Sequence, residues 1–229
     1  MSFRLSYRAD PGNPWFSWQY VRDNSDTILA ALRDHTFLTA RAVLIAALIA
    51  LPLAVAAYWF RGLAGPIVAF TGVLYTIPSL ALFAFIAPYL GIGAVTVLTV
   101  VVLYALLVIV RNAIAGLNQV PPDVREAAEG MGYGRWGRLF RIELPLALPG
   151  ILTGLRLATV STVALVTVGV VIGRGGLGQI IFAGFQNNFY KQQIMTGTLL
   201  CVLLALVLDL VLAGIGRLLT PWLRRGRPA

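Results

Sequence analysis

Charge is scarce in this chain. Only 12% of its 229 residues are Asp, Glu, Lys or Arg, where soluble domains carry about 25%. Acids are rarer still, 9 against 18 cations, and every cation but Lys191 is arginine. Histidine and cysteine occur once each, as His35 and Cys201. A single cysteine excludes an internal disulfide, and there is no cysteine or histidine cluster from which to build a metal site. Cys201 lies in an apolar run and reads as a small buried hydrophobe. His35 lies in a polar stretch and reads as a surface histidine. No G-x-x-x-x-G-K-[ST] is present, so the chain supplies no P-loop for ATP.

Apolar residues fill the space: 59% of the chain is hydrophobic and the mean hydropathy is +0.83. A chain of this length has too little interior to hide that excess, which makes lipid its natural solvent. The formal charge of +9 would suit a nucleic-acid binder. The cations sit mainly between and outside the apolar runs, however, which favours the membrane reading.

A membrane-crossing helix needs about 20 mostly apolar residues. Five stretches qualify: 37–60, 63–87, 92–110, 146–172 and 194–216. They are continuously apolar and do not alternate with period two, which favours an all-α polytopic helix bundle over a barrel. Pro52, Pro66 and Pro78 fall inside spans, where neighbouring helices can satisfy freed carbonyls.

The first 36 residues lack the continuous apolar core of a signal peptide. Trp15, Trp18 and Tyr20 suit a membrane interface. Ile28, Leu29 and Leu32 fit a short amphipathic helix over 26–35, lying on the membrane. With the C-terminus inside, ten cations face the cytoplasm, including Arg61, Arg111, Arg217, Arg224, Arg225 and Arg227. Six face outward: Arg4, Arg8, Arg22, Arg33, Arg174 and Lys191. The positive-inside rule then places the N-terminus outside. The expected organisation is an extracytoplasmic tail and interfacial helix (1–36), a transmembrane domain (37–216) with a cytoplasmic loop (111–145), and a basic cytoplasmic tail (217–229).

The loop at 111–145 is patterned. Pro121-Pro122 stops what precedes it, and Asp123 stands three residues before Glu126 as in a capping box. A short helix over 124–131 would end at Gly130, Gly132 and Gly134. A second, over 135–142, gathers Trp136, Leu139 and Phe140 on one face, and Pro145 closes the unit. Spacing alone fits either an interfacial loop held to headgroups by Arg and Trp or a knob presented to a cytoplasmic partner.

Glu126-Ala127-Ala128, three residues, Gly132, nine residues, Ile142, one residue and Leu144-Pro145 resembles the EAA loop of ABC-importer permeases. Further likeness lies in Tyr75-Thr76-Ile77-Pro78-Ser79-Leu80, Leu103-Tyr104-Ala105-Leu106-Leu107, Glu143-Leu144-Pro145-Leu146-Ala147 and Gly173-Arg174-Gly175-Gly176-Leu177-Gly178. Together they resemble the glycine betaine/carnitine/choline (osmoprotectant) branch of type I ABC importers, over 36–216.

The resemblance implies a five-span, MetI-like permease core, and a non-catalytic transport subunit of the bacterial plasma membrane. It implies two permease subunits, identical or paralogous, a cytoplasmic ABC ATPase dimer and an extracytoplasmic substrate-binding protein. ATP and Mg would be held by the ATPases and no cofactor by this chain. Cargo would be glycine betaine, choline, carnitine or proline. The family's ATPase-coupling role maps onto Glu126, Ala127, Ala128 and Gly132, with Leu144 and Pro145 setting the return to the membrane. Glu126 could cap its own helix or accept from the partner. Rival readings are a type I permease for methionine, sulfonate or polyamine, an ion-coupled secondary transporter, or a non-transporting scaffold.

Gly173 to Gly178 also matches G-x-G-x-x-G. A dinucleotide site needs an acid about 20 residues on, and none occurs between Glu143 and Asp209. A flexible outer loop facing the binding protein is the expectation. Arg156 and Asp209 lie at matching depths in the fourth and fifth spans and are expected to form a structural ion pair, although Asp209 could instead carry a proton or contact substrate. Arg41 is expected to snorkel. Tyr75, Phe85 and Tyr104 are candidate cation–π faces for a quaternary ammonium, and Pro78 with Ser79 a candidate break that lines the path.

Overall fold

The structure, a computed structural model, describes residues 13–224. Arg4, Arg8, Arg225 and Arg227 lie outside the described residues. The described chain is helical throughout: α1 (Trp18–Asp23), α2 (Ser25–Trp59), α3 (Arg61–Thr76), α4 (Ser79–Leu90), α5 (Ala94–Asn118), α6 (Pro122–Gly130), α7 (Arg135–Arg138), α8 (Leu144–Val168), α9 (Leu177–Gln186) and α10 (Lys191–Leu219). Four helices are long and apolar enough to cross a membrane, or five spans if α3 and α4 count as one bent crossing.

α5 is the axis of the bundle. Over its apolar window 61% of residues are buried, against 6% for α10. α2 meets α5 through a small-residue stripe: Ala42, Ala46, Ala50 and Ala54 recur every fourth position and are all fully buried. Such a stripe lets two backbones approach closely, the main source of helix affinity in lipid. The first three share a core with Val97, Val100, Val101 and Ile109, while Leu44 and Leu48 on the other face of α2 are exposed. α5 and α8 cross closer still. A Cβ on Gly150 would lie 2.7 Å from the Gly116 Cα, and one on Gly116 would lie 2.8 Å from the Ala147 carbonyl oxygen. Glycine is required at both.

The second crossing is not one helix over 63–87. It breaks at Ile77-Pro78 and turns by 96°. Pro78 has no N–H to continue the ladder and holds Ile77 extended, at φ −67° and ψ 127°. The freed Ile77 carbonyl accepts from the Tyr104 hydroxyl on α5.

The stretch over 26–35 is not a separate interfacial helix. It forms the first turns of α2, whose 35 residues reach about 50 Å at 1.5 Å per residue and so extend past the lipid. His35 is fully buried, not a surface group. The Leu177 N–H donates to its Nδ1 (3.2 Å), and its Nε2 lies 3.1 Å from the Val163 carbonyl. An amide can only donate, so Nδ1 is the acceptor and the proton sits on Nε2. The ring thereby ties α2 to α8 and α9.

The glycine segment before α9 is accordingly packed and not a flexible loop. Gly175, Gly176 and Gly178 are buried. Gly176 adopts φ +51°, and a Cβ there would sit 2.6 Å from that of His35. Arg174 pairs with Asp34 at 2.9 Å.

The N-terminal aromatics fold onto the same end. Asn13 accepts from the Lys191 N–H (2.9 Å) and donates to the Phe189 carbonyl (3.1 Å). Lys191, buried, lies 5.6 Å from the centre of the Trp15 ring.

Candidate functional site

The loop is shorter than the sequence suggests, because α5 runs on to Asn118 and residues 135–143 wind without interruption into α8. The free-standing part is 119–134. α6 begins at Pro122, whose missing N–H costs nothing in a first turn. No side chain caps it, and Asp123 lies inside the first turn instead of before it. The Asp123–Glu126 capping box is therefore not formed. Asp123 is placed to favour the positive end of the helix.

α6 has two sides. Ala128 is fully buried and Arg125 half-buried against the bundle. Glu126, Ala127, Gly130 and Met131 are exposed, Met131 at 69%. Gly132, at φ +84°, makes the left-handed turn that ends the unit, and the Tyr133 N–H returns to the Ala128 carbonyl at 3.1 Å. Leu144 and Pro145 form the first turn of α8, half-buried. Of the six residues carried over from the EAA loop, Glu126 and Ala127 are presented outward; Ala128, Gly132, Leu144 and Pro145 shape the presentation.

Beneath α6 lies a polar network that sequence reading missed. Glu143 is fully buried. Its Oε1 accepts from the Tyr58 hydroxyl at 3.1 Å, and Arg138 Nε lies 2.9 Å away as an ion pair without hydrogen-bond alignment. Arg125 Nη1 donates to Tyr58 at 3.2 Å, and Arg138 Nη1 pairs with Glu129. Glu143 Oε2 and Arg125 Nε are buried without hydrogen-bond partners, and an unsatisfied buried acceptor typically costs about 1–3 kcal/mol. An aromatic clamp lies alongside. The Arg135 guanidinium sits 4.0 Å from the centre of the Trp59 ring, and Trp59 packs edge-on against Trp136 at 4.6 Å. The signal for the network was present in the sequence: Arg125 and Glu129 stand four apart, on one side of a helix, and Glu143 is an acid at the edge of an apolar span.

The substrate-path candidates divide. Tyr75 and Tyr104 meet at the α3–α4 break with ring centres 5.6 Å apart. Tyr104 is 6% exposed, Tyr75 45%. Pro78 and Ser79 share that corner. Phe85 lies along α4, exposed and paired with Tyr89 at 5.9 Å. Arg156 and Asp209 join α8 to α10 at 2.8 Å. Arg41 is exposed, 5.8 Å from the centre of the Phe37 ring. Among the described residues no group of three or more His, Cys, Asp or Glu side chains is placed to hold a metal ion.

Comparison with known proteins places this architecture. Residues 42–225 match the family described as binding-protein-dependent transport system inner membrane component. The osmoprotectant import permease protein OsmW of Salmonella typhimurium is 38% identical, over 88% of this chain and 96% of its own. The glycine betaine/carnitine/choline transport system permease protein OpuCB of Bacillus subtilis is 33% identical, over 88% and 93%. The carnitine transport permease protein OpuCB of Listeria monocytogenes is 33% identical, over 88% and 92%. In structure, the chain resembles an inward-facing form of the MetNI methionine ABC transporter, with TM-score 0.78 at 21% identity over 90% of this chain and all of that one. An amino acid ABC transporter solved with histidines gives 0.69 at 17%, over 90% and 98%. Both show the fold alone. Membership implies a multi-subunit assembly with ATPase and substrate-binding components. The chain belongs to the binding-protein-dependent inner membrane component family, as a non-catalytic ABC-importer permease subunit of its glycine betaine/carnitine/choline (osmoprotectant) group.

Proposed function

We propose that this permease conducts a small quaternary-ammonium or zwitterionic osmoprotectant, of the glycine betaine, choline, carnitine or proline kind, inward across the bacterial plasma membrane. Two permease subunits form the passage, and an extracytoplasmic binding protein delivers the cargo. A pair of cytoplasmic ATPases grips the outward side of α6. ATP binding draws the two α6 segments together and opens the passage outward; hydrolysis resets it, by alternating access between rigid helix groups. The cationic surplus on the α6 side supports a cytoplasmic C-terminus and an outside N-terminus.

One observation carries the reading. Glu126 and Ala127 stand exposed on α6 while Ala128 and Arg125 hold that helix to the bundle. A small helix fastened on one side and bare on the other is what a partner groove requires. The names of the relatives support the cargo class.

The test is uptake in liposomes holding the permease with its ATPases and binding protein. Radiolabelled glycine betaine should enter only with ATP and binding protein, and unlabelled choline or carnitine should compete. Competition by methionine, a sulfonate or a polyamine alone would move the cargo to another class. Uptake on an ion gradient without the ATPases would overturn the importer reading.

A further inference from the structure

Glu143 lies outside the positions that define the EAA pattern, yet it is the acid buried beneath α6. It stands at a backbone irregularity. Leu139–Glu143 is a π-helical turn, in which the Leu144 N–H reaches the Leu139 carbonyl, one residue farther back than in an α-helix. Such turns are inserted where a helix must re-aim side chains, frequently at functional positions.

From this carboxylate a chain of contacts runs both ways. Glu143 meets Tyr58 at the end of α2, and Tyr58 meets Arg125 on α6. Glu143 also meets Arg138 on α7, and Arg138 meets Glu129, back on α6. The circuit starts and finishes on α6, four residues apart and so on one side of the helix. Its two cations balance its two anions. α8 follows α7 along the chain and would move with the loop in any case; α2 is reached across space, and Tyr58 is its polar link to α6. The circuit is also incompletely paired. Glu143 Oε2 and Arg125 Nε are both buried without a hydrogen-bond partner. A second arrangement is therefore available, in which Arg125 turns from Tyr58 to the free carboxylate oxygen, so that α6 is held by Glu143 directly and reaches α2 only through it. Two discrete pairings of one buried group are what a mechanical switch needs.

We propose that Glu143 is a positioning residue of the transport cycle, which through Tyr58 carries displacement of α6 to α2, so that the ATPases move the first span as well as the fourth. This rests on the reading of α6 as the ATPase-docking segment.

The test uses the assembled importer in liposomes, with ATP hydrolysis, glycine betaine uptake and thermal unfolding measured together. Tyr58→Phe removes one oxygen and cuts the link to α2. Glu143→Gln removes the charge that holds Arg138. Both variants should hydrolyse ATP within about twofold of the unaltered complex, while uptake per ATP falls by about fivefold or more, in the range of residues that couple distant sites. The double variant should be no worse than the poorer single one, because both cut one circuit. Uptake per ATP unchanged in Tyr58→Phe overturns the proposal, as does uptake that falls only in step with hydrolysis. Should Glu143→Gln fail to assemble, Tyr58→Phe decides alone. Lack of ATP-driven uptake by the unaltered complex refutes the importer reading instead, so the two failures are distinct.

Discussion

The guanidinium of Arg156 holds the carboxylate of Asp209 by two parallel bonds, Nε to Oδ1 and Nη2 to Oδ2, each 2.8 Å. This is the fork-on-fork geometry in which an Arg–carboxylate pair is strongest and most directional. It spans the joint between α8 and α10, and α10 has the least-buried apolar window of the four long helices. The pair adds orientation to the apolar half of α10, beyond the packing of its first turns on α8 and α9.

Neutralising either partner leaves an unpaired charge in a setting where charges are costly. Asp209→Asn and Arg156→Gln should each lower the yield of intact complex in detergent. The exchange Arg156→Asp with Asp209→Arg should recover much of it. Normal assembly of Asp209→Asn, with an altered pH dependence of uptake, would assign Asp209 to proton or substrate chemistry instead.

Tyr104 was a candidate cation–π face, but its hydroxyl serves the Ile77 carbonyl at the break. Tyr104→Phe keeps the ring and orphans that carbonyl, costing on the order of 1 kcal/mol. Thermal unfolding of the complex should shift down by a few degrees, with the concentration of glycine betaine for half-maximal uptake unchanged. A large rise in that concentration with no thermal shift would place the hydroxyl on the substrate instead.

The spans were legible because lipid demands long apolar helices: α8 and α10 lie close to where hydropathy put them, while α5 starts there but runs on to Asn118. The α6 segment was legible through Pro122 at its start, Gly132 at its end and the spacing to Leu144-Pro145. A break at Pro78 was legible as a candidate; its 96° turn and the Tyr104 hydroxyl that serves the Ile77 carbonyl, 27 residues away, were not. Two further features were not legible either. His35 reads as polar and exposed until α8 and α9 are folded over it. Glu143 sits at a π-helical turn, for which the surrounding residues carry no local signature. The first two depend on groups distant in sequence meeting and the third on a local change of helix type, neither of which periodicity and turn chemistry report.

The α5–α8 crossing tolerates no side chain at its centre. Gly150→Val would drive a branched side chain into the Gly116 backbone, where overpacking typically costs about 1–3 kcal/mol. Gly214→Ala, with nothing within 4 Å of the added carbon, should be neutral or slightly stabilising, since alanine favours a helix by about 1 kcal/mol. Comparison of the two complexes by thermal unfolding checks this, and equal behaviour would contradict the close crossing.

Neighbouring alanines in α6 should separate shape from docking. Ala128 is fully buried and Ala127 exposed, although the EAA pattern treats them alike. Ala128→Glu forces a charge under α6, where Leu139 and Glu143 are buried and Arg125 half-buried. It should displace the whole segment, lowering both thermal stability and ATPase attachment. Ala127→Glu adds the same group on the bare side. It should leave the permease as stable as before, while weakening co-purification of the ATPases by about tenfold, as an unmatched charge in a packed interface does. Equal retention of the ATPases by Ala127→Glu and the unaltered permease would show that the motor binds elsewhere, and loss of stability in Ala127→Glu would show that its side of α6 is not free.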